Sequence, residues 1–246
     1  MKSNPIHQLF PMRKGNIFNA VLIVIMIMVF AQPVLAGNAT PGIAPPNSNP
    51  YGKSYAQWTA NWWRYVMGFP AASSPLADDT GANCANGQSG PVFFLVGTIG
   101  TQVVRNDCVV PLGKSILFPV LNAMCAIPED GPTKDAVIEV CSRGFIDQVD
   151  LAEVTVDGVK VHNIIPEYRF AEWFPFIGAA PSIYEDYCTG APAGTCYEGF
   201  HSQGYSDGYW IMLRPLTPGQ HVIHILGGVS SWGFTVDVTY NLTVED

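Results

Sequence analysis

The sequence DTG at 79–81 is the triplet in which an aspartic protease carries its catalytic carboxylate. That chemistry needs two carboxylates that share a proton, so it needs a second such triplet or a symmetric dimer. The chain has only one, because SDG at 206–208 has a different order. The segment before the triplet, AASSPLAD, is a Pro- and Ser-rich loop rather than a strand. We therefore interpret DDTG at 78–81 as a polar turn whose carboxylates bind local backbone amides.

Other short motifs each lack something that their chemistry requires. CVVPLGKS at 108–115 ends like a phosphate-binding loop but has cysteine in place of the first glycine, and GQSGP misses the nucleophile elbow by one residue. His221 and His224 are three apart on a predicted strand, so they face opposite sides and cannot easily share a metal. The acidic and amide-rich run at 78–86 lacks EF-hand spacing. We predict no metal and no cofactor.

Aromatic and acidic side chains are concentrated at 184–210, in and beside a Gly-, Ala-, Pro- and Tyr-rich segment at 175–206. We expect this segment to be a long loop that its tyrosines pack in place. The alternative is a binding site in which rings stack on a sugar face and carboxylates accept hydroxyl hydrogen bonds. If the carboxylates did chemistry, it would be glycoside cleavage between two acids. The candidate ligand-binding residues are Tyr197, Glu198, Tyr205, Asp207 and Trp210.

Residues 1–36 have the pattern of an export signal. Three basic residues precede an apolar run at 20–31, and VLA at 34–36 offers a small-residue cleavage site. The alternative, a membrane anchor, is weaker because the run is shorter than the roughly 20 residues that span a bilayer. We predict a signal peptide at 1–36, a secreted or periplasmic location, and no membrane insertion after its removal.

The chain is acidic, with 12 Lys and Arg against 20 Asp and Glu, and removal of the three basic residues of the signal changes the net charge from −8 to −11. A negative surface repels phosphate backbones and anionic lipids, which argues against nucleic acid or a membrane surface as partner. A glycan or a cell-envelope component is the partner class that we expect.

All six cysteines follow the signal, and an even number in an exported chain predicts disulfides. Many pairings are possible, and we favour neighbours in sequence because each pair closes a short segment rich in turn residues. No spacing typical of a zinc site occurs. The predicted bridges are Cys84–Cys108, Cys125–Cys141 and Cys188–Cys196.

Two segments have helical periodicity. Aromatic residues at 55, 58, 62 and 65 form a stripe on one helical face, with Ser54 as a possible cap and Pro70 as the stop. We expect this stripe to pack on a sheet rather than bind a ligand. The segment at 133–148 is predicted as the other helix, although Gly144 weakens that prediction.

The remaining pattern is β. Apolar or alternating runs separated by Gly, Pro and Asn turns predict several short strands, and Asp157-Gly158 predicts a tight hairpin. The predicted fold is mainly β, an antiparallel β-sandwich or jelly roll with one or two packed α-helices. It forms a single domain at 51–246 after a flexible Pro- and Asn-rich leader at 37–50.

The chain resembles a family of exported bacterial proteins. The resemblance implies export and a shared fold, but no activity and no catalytic residue. It rests on Trp58, Trp62, DTG at 79–81, Cys84, GQSGPV at 87–92, Phe94, Leu95, Gly97, Arg105, Cys108, Val110, Pro111, Gly113, Lys114, Phe118, Pro119, Asn122, VDG at 156–158, Pro215, Leu216, Pro218, Gly219, His221 and Tyr240.

These patterns favour an exported, disulfide-stabilised module that binds a ligand or has a structural role in the periplasm or cell exterior, with glycans as the ligand class. The alternative is an extracellular hydrolase that acts on carbohydrate through paired carboxylates. Two facing carboxylates in a groove would favour the hydrolase.

Overall fold

The computed structural model describes residues 42–185 and 196–246, which belong to one compact unit, Asn38–Asp246. The predicted signal peptide and Cys188 lie outside the described residues. Within the described ranges, no helix is long and apolar enough to cross a membrane.

The fold is a sandwich of two mixed β-sheets, as the sequence predicts. The order of the first sheet is β1-β3-β7-β6, and the order of the second is β2-β9-β8-β4-β5. Most neighbours are antiparallel, but the pairs β1–β3 and β2–β9 are parallel. The strands are β1 (Val92–Phe94), β2 (Gln102–Pro111), β3 (Ser115–Ala126), β4 (Leu151–Val156), β5 (Val159–Lys160), β6 (Arg169–Gly178), β7 (Gly199–Leu213), β8 (Gly219–Val229) and β9 (Phe234–Glu245).

Burial explains why the strands of the two sheets have different hydrophobic patterns in the sequence. Strand β9 alternates, with every second residue from Val236 to Val244 buried, because one face of the second sheet meets solvent. The first sheet is covered by helix α1 (Tyr55–Met67) and by the second sheet, so β3 and the last ten residues of β7 are buried almost without interruption.

Helix α1 confirms its prediction. Ser54 forms a capping box, in which the backbone N–H of Gln57 donates to Ser54 Oγ at 3.2 Å and Ser54 N–H donates to Gln57 Oε1 at 3.0 Å. Tyr55, Trp58 and Trp62 of the aromatic stripe are buried. The stripe therefore packs in the core, as expected.

The second predicted helix is broken into short pieces. It consists of α2 (Lys134–Ile138), a π-helical turn (Glu139–Arg143) and a 3-10 turn (Ile146–Gln148). The π turn holds Cys141 and Ser142 against strands β3 and β7. These tertiary attachments replace the regular helix that periodicity alone predicts. A four-residue helix, α3 (Ile164–Glu167), precedes β6.

Two predicted bridges, Cys84–Cys108 and Cys125–Cys141, are confirmed. The third includes Cys188, outside the described residues, and none of the described cysteines is a free thiol. The predicted hairpin is also confirmed, with positive φ at Asp157 (51°) and Gly158 (77°) between β4 and β5.

Part of the predicted leader, at 43–44, is attached to the sandwich. Ile43 pairs with Leu213 of β7, and Ala44 N–H donates to Met212 O at 2.9 Å. The hydroxyl of Tyr55 donates to Ala44 O at 2.8 Å. Backbone hydrogen bonds hold this segment. Such bonds do not depend on side-chain type, so no apolar periodicity in the sequence indicates them.

Candidate functional site: a cavity with unpaired donors

A cavity of about 270 Å³ lies where α1, the end of β3 and the start of β9 meet. Most of its wall is aromatic or aliphatic, and the polar groups are few. The volume is just below the range usual for drug-sized ligands, which suits a small molecule. The wall residues used below are Trp63, Asn122, Asp130, Phe145, Tyr184, Tyr197 and Phe234.

Two buried nitrogen donors in this wall have no hydrogen-bond partner among the described residues. Trp63 is only 3% exposed and its Nε1 is unpaired, and Nδ2 of Asn122 is likewise buried and unpaired. The neighbouring Trp62 differs, because its Nε1 donates to Leu95 O at 2.8 Å. A buried unpaired donor costs about 1 to 3 kcal/mol. Two of them in one wall therefore point to a ligand that supplies acceptors.

Helix geometry separates the two tryptophans. Residues that are adjacent on a helix point about 100° apart, so Trp62 and Trp63 reach different parts of the cavity wall, and only the Trp62 Nε1 points at a backbone carbonyl. Trp62 packs edge-to-face against both Trp63 and Trp210, with ring centroids 4.9 and 5.2 Å away. This packing fixes the orientation of the Trp63 ring.

An acceptor completes the polar part of the wall. Asp130 Oδ2 accepts from the Tyr197 hydroxyl at 2.6 Å and from Ala126 N–H at 2.7 Å, while Oδ1 has no bond to the described residues. Burial raises the pKa of Asp130, and the hydrogen bonds from Tyr197 and Ala126 oppose this change only in part. Burial and the neighbouring carboxylate also raise the pKa of Tyr197, so its hydroxyl remains a donor.

A second pair supports this corner of the cavity. His201 Nε2 lies 2.6 Å from Glu129 Oε1, and the His201 ring stacks on Phe176 with centroids 4.6 Å apart. Glu129 precedes Asp130, and its charge contributes to the raised pKa of that residue. Glu129 Oε2 and Trp210 Nε1 are also buried and unpaired among the described residues, but neither residue belongs to the cavity wall.

The structure brings one of the five predicted ligand-binding residues, Tyr197, to the cavity. Glu198 instead accepts a hydrogen bond from Ser182 N–H at 3.0 Å. Tyr205, Asp207 and Trp210 lie within β7. Of these, only Tyr205 belongs to the segment predicted as a loop, part of which is formed by the ends of β6 and β7.

The three β7 residues have structural partners, and for Tyr205 the structure corrects the expected position on a loop. Trp210 is fully buried and offers no free ring face to a sugar. Asp207 accepts from Ser142 Oγ at 2.6 Å and from Arg169 Nε and Nη2 at 3.0 and 2.7 Å. The ring of Tyr205 lies against Trp173, with centroids 4.7 Å apart, and its hydroxyl is 3.1 Å from Ser142 Oγ.

Sequence reasoning missed Trp63, Asn122 and Asp130 as a group. Two signals were present: Trp63 falls outside the aromatic stripe of its helix, and Asn122 interrupts an apolar run, SILFPVLNAMCA. Nothing in the sequence indicated that Asp130 would join them, since only the tertiary fold brings these three segments together.

The DTG segment forms a turn, as interpreted, but the organising carboxylate is that of Asp78. Its Oδ1 accepts from Thr80 N–H, Thr80 Oγ1 and Gly81 N–H at 3.0, 2.7 and 3.1 Å, and its Oδ2 accepts from Asn83 N–H at 2.8 Å. Burial acts to raise the pKa of Asp78, but these hydrogen bonds outweigh burial and hold the pKa below its ordinary value. Asp79 is exposed.

Among residues 42–185 and 196–246, no group of three or more His, Cys, Asp or Glu side chains could hold a metal ion. Comparison of the chain with protein-family models, with curated proteins and with solved structures finds no match. The functional argument therefore rests on the chemistry of the cavity.

Proposed function

We propose that this chain is an exported binding module whose cavity holds a small neutral ligand rich in hydroxyl groups, such as a sugar ring. One observation carries the proposal: Trp63 and Asn122, each with a buried N–H donor that has no partner among the described residues, line the same cavity as Asp130.

The donor and acceptor set selects hydroxyl groups. The Trp63 indole and the Asn122 amide need acceptors, whereas Oδ1 of an ionised Asp130 needs a donor. A hydroxyl group supplies both functions. The aromatic wall, which includes Tyr197 and Phe145, suits the apolar face of a sugar ring.

Charge argues for a neutral ligand. Ionised Asp130 in the wall repels a carboxylate or phosphate, and the chain as a whole carries a net charge of −8. The two donors offer no attraction specific to a cation, because they themselves need acceptors.

The hydrolase alternative lacks its second acid. Glycoside cleavage uses two carboxyl groups on either side of the bond, and Asp130 is the only carboxyl-bearing residue in the described cavity wall. A binding role therefore fits the wall better than a hydrolytic role.

Export is supported by the sequence pattern at 1–36 and by the resemblance to exported bacterial proteins. The two disulfides agree with it, since such bridges persist in oxidising compartments. A periplasmic or extracellular location would also give the cavity access to glycans.

The test is a thermal-shift and calorimetric screen of the purified protein with glucose, galactose, mannose, xylose and N-acetylglucosamine. A sugar at 100 times its dissociation constant should stabilise the fold by about 2.7 kcal/mol. Asn122→Leu, which keeps the shape and removes the donor, should weaken binding about tenfold.

Asn241→Leu is the matched control, because the Asn241 amide donates to Asn106 on the second sheet at 2.7 Å and is not part of the cavity wall. It should bind like the wild type. Absence of binding by all five sugars, or equal losses in the two variants, would refute the proposal.

A further inference from the structure

We infer that Trp232 forms a second sugar subsite beside the cavity, so that the ligand is a chain of at least two neutral sugar units rather than a single sugar. This inference rests on the proposed function and specifies the class of ligand.

Ring contacts connect Trp232 to the cavity. Phe145 and Phe234 are both wall residues, and their rings meet edge-to-face with centroids 5.7 Å apart. Trp232 stacks on the Phe145 ring at 5.5 Å with an interplanar angle of 25°. The aromatic wall thus continues from the cavity onto the surface.

Trp232 presents an open surface to solvent. Its side chain is 56% exposed although one side is in contact with Phe145. An indole face in this position can stack on the apolar face of a sugar unit that extends from the cavity. A single sugar inside the cavity would leave this ring unused.

The turn that carries Trp232 is held in place. Ser230 N–H donates to Asp150 Oδ1 at 2.9 Å, and Gly233 N–H closes the 3-10 turn onto Ser230 O at 3.1 Å. Gly233 has φ of 63°, a conformation that glycine adopts without strain. A platform that is ordered before binding loses less entropy when the ligand arrives.

Position distinguishes Trp232 from the other exposed aromatic residues in the described ranges. These are Tyr51 and Phe200, which are 48% and 71% exposed. Tyr51 contacts Trp58, which is outside the cavity wall, and Phe200 lies opposite Ile177 in the β6–β7 pair. Only Trp232 has a ring contact with a wall residue, and Phe200 is the matched control.

The experiment measures the affinity of each sugar against its own short oligomers by calorimetry. The three series are glucose, cellobiose and cellotriose; xylose, xylobiose and xylotriose; and N-acetylglucosamine, chitobiose and chitotriose. In the series that binds, the disaccharide should bind about threefold to tenfold more tightly than the monosaccharide. Trp232→Ala should remove this difference and leave monosaccharide affinity unchanged.

Phe200→Ala should preserve both affinities. Equal wild-type affinity for one and two units would overturn the second subsite while the proposed function stands. The same holds if Trp232→Ala weakens monosaccharide and disaccharide binding alike, or if Phe200→Ala reproduces its effect. If no member of any series binds, both the proposed function and the second subsite are wrong.

Discussion

The buried side chains of Arg105 and Trp63 lie in two differently built regions of the same sandwich. Arg105 is 1% exposed, and each of its nitrogens is bonded: Nε donates to Asp78 O at 2.7 Å, Nη1 to Val96 O at 2.9 Å and Nη2 to Gly97 O at 3.1 Å. Nη1 also donates to the Tyr240 hydroxyl at 2.8 Å. Trp63 is buried to a similar degree, but its only donor is unpaired among the described residues.

This difference indicates that the region around Arg105 stabilises the fold, whereas the region around Trp63 has hydrogen-bond donors that a ligand can use. Around Arg105, the Asp78 carboxylate holds the turn, and the carbonyl of the same residue accepts from the guanidinium, so the polar groups satisfy each other. Around Trp63, the N–H donors of Trp63 and Asn122 have no partner among the described residues, and leaving them unpaired costs free energy of folding. Function is expected at sites where polar groups lack partners within the fold and therefore lower its stability.

The largest expected effect comes from Arg105→Met. The change leaves the carbonyls of Asp78 and Gly97 without their donor and removes one of two donors from Val96 O and from the Tyr240 hydroxyl. It should lower the free energy of unfolding by about 3 to 5 kcal/mol. Urea denaturation at pH 7 measures it. Lys160→Met is the control, because Lys160 pairs with Glu153 at 3.0 Å on a half-exposed surface, where loss of an ion pair costs about 0 to 1 kcal/mol. Equal losses in both variants would contradict the structural role of Arg105.

A smaller effect is expected for Asp78→Asn. The amide can still accept at one atom but cannot accept the Asn83 N–H bond with its nitrogen, so stability at pH 7 should fall by about 1 to 2 kcal/mol. The pKa of Asp78 is lowered in the folded state, so its contribution is present above the ordinary aspartate pKa of about 3.9.

That contribution is lost as the pH falls through the lowered folded-state pKa of Asp78, so the difference between wild type and Asp78→Asn should shrink in acid. Denaturation curves from pH 7 to pH 2 measure this convergence. Asp79→Asn serves as the matched control, because the neighbouring carboxylate is exposed and makes no hydrogen bond among the described residues. A larger loss from Asp79→Asn than from Asp78→Asn would show that the wrong carboxylate has been assigned to the turn.

Local patterns predicted those parts of the fold that local physics determines. Alternation identified β9 because one face of its sheet meets solvent, and the aromatic stripe identified α1 because its buried face repeats with the helical period. Asp157-Gly158 identified a hairpin because the turn requires positive φ. Pairing of cysteines close in sequence correctly identified both described disulfides.

Long-range packing determined the rest. Strand β7 is buried on both faces over most of its length, and its first part, up to Ser206, was predicted as a loop because its Gly, Ser and Tyr residues are typical of one. The cavity joins a helix residue, Trp63, with a strand residue, Asn122, and a turn residue, Asp130. No spacing rule links positions that only the tertiary fold brings together, and for this reason Tyr197 was the sole wall residue among the predicted ligand-binding residues.

The smallest expected effect provides the sharpest test of the contrast between the two regions. Without ligand, Asn122→Leu should change the free energy of unfolding by less than about 0.5 kcal/mol or raise it, because removal of an unpaired buried donor also removes its desolvation cost. Thr59→Val is the comparison, since Thr59 is fully buried and its hydroxyl donates to Ala56 O at 2.8 Å. The same hydroxyl accepts from the buried Ser206 Oγ at 3.3 Å, so loss of these bonds should cost at least about 1 kcal/mol. Chemical denaturation of both variants in sugar-free buffer measures this difference. If Asn122→Leu lowers the free energy of unfolding as much as Thr59→Val does, the Asn122 amide already has a hydrogen-bond partner in solution. The cavity then lacks one of the two donors from which its ligand was inferred.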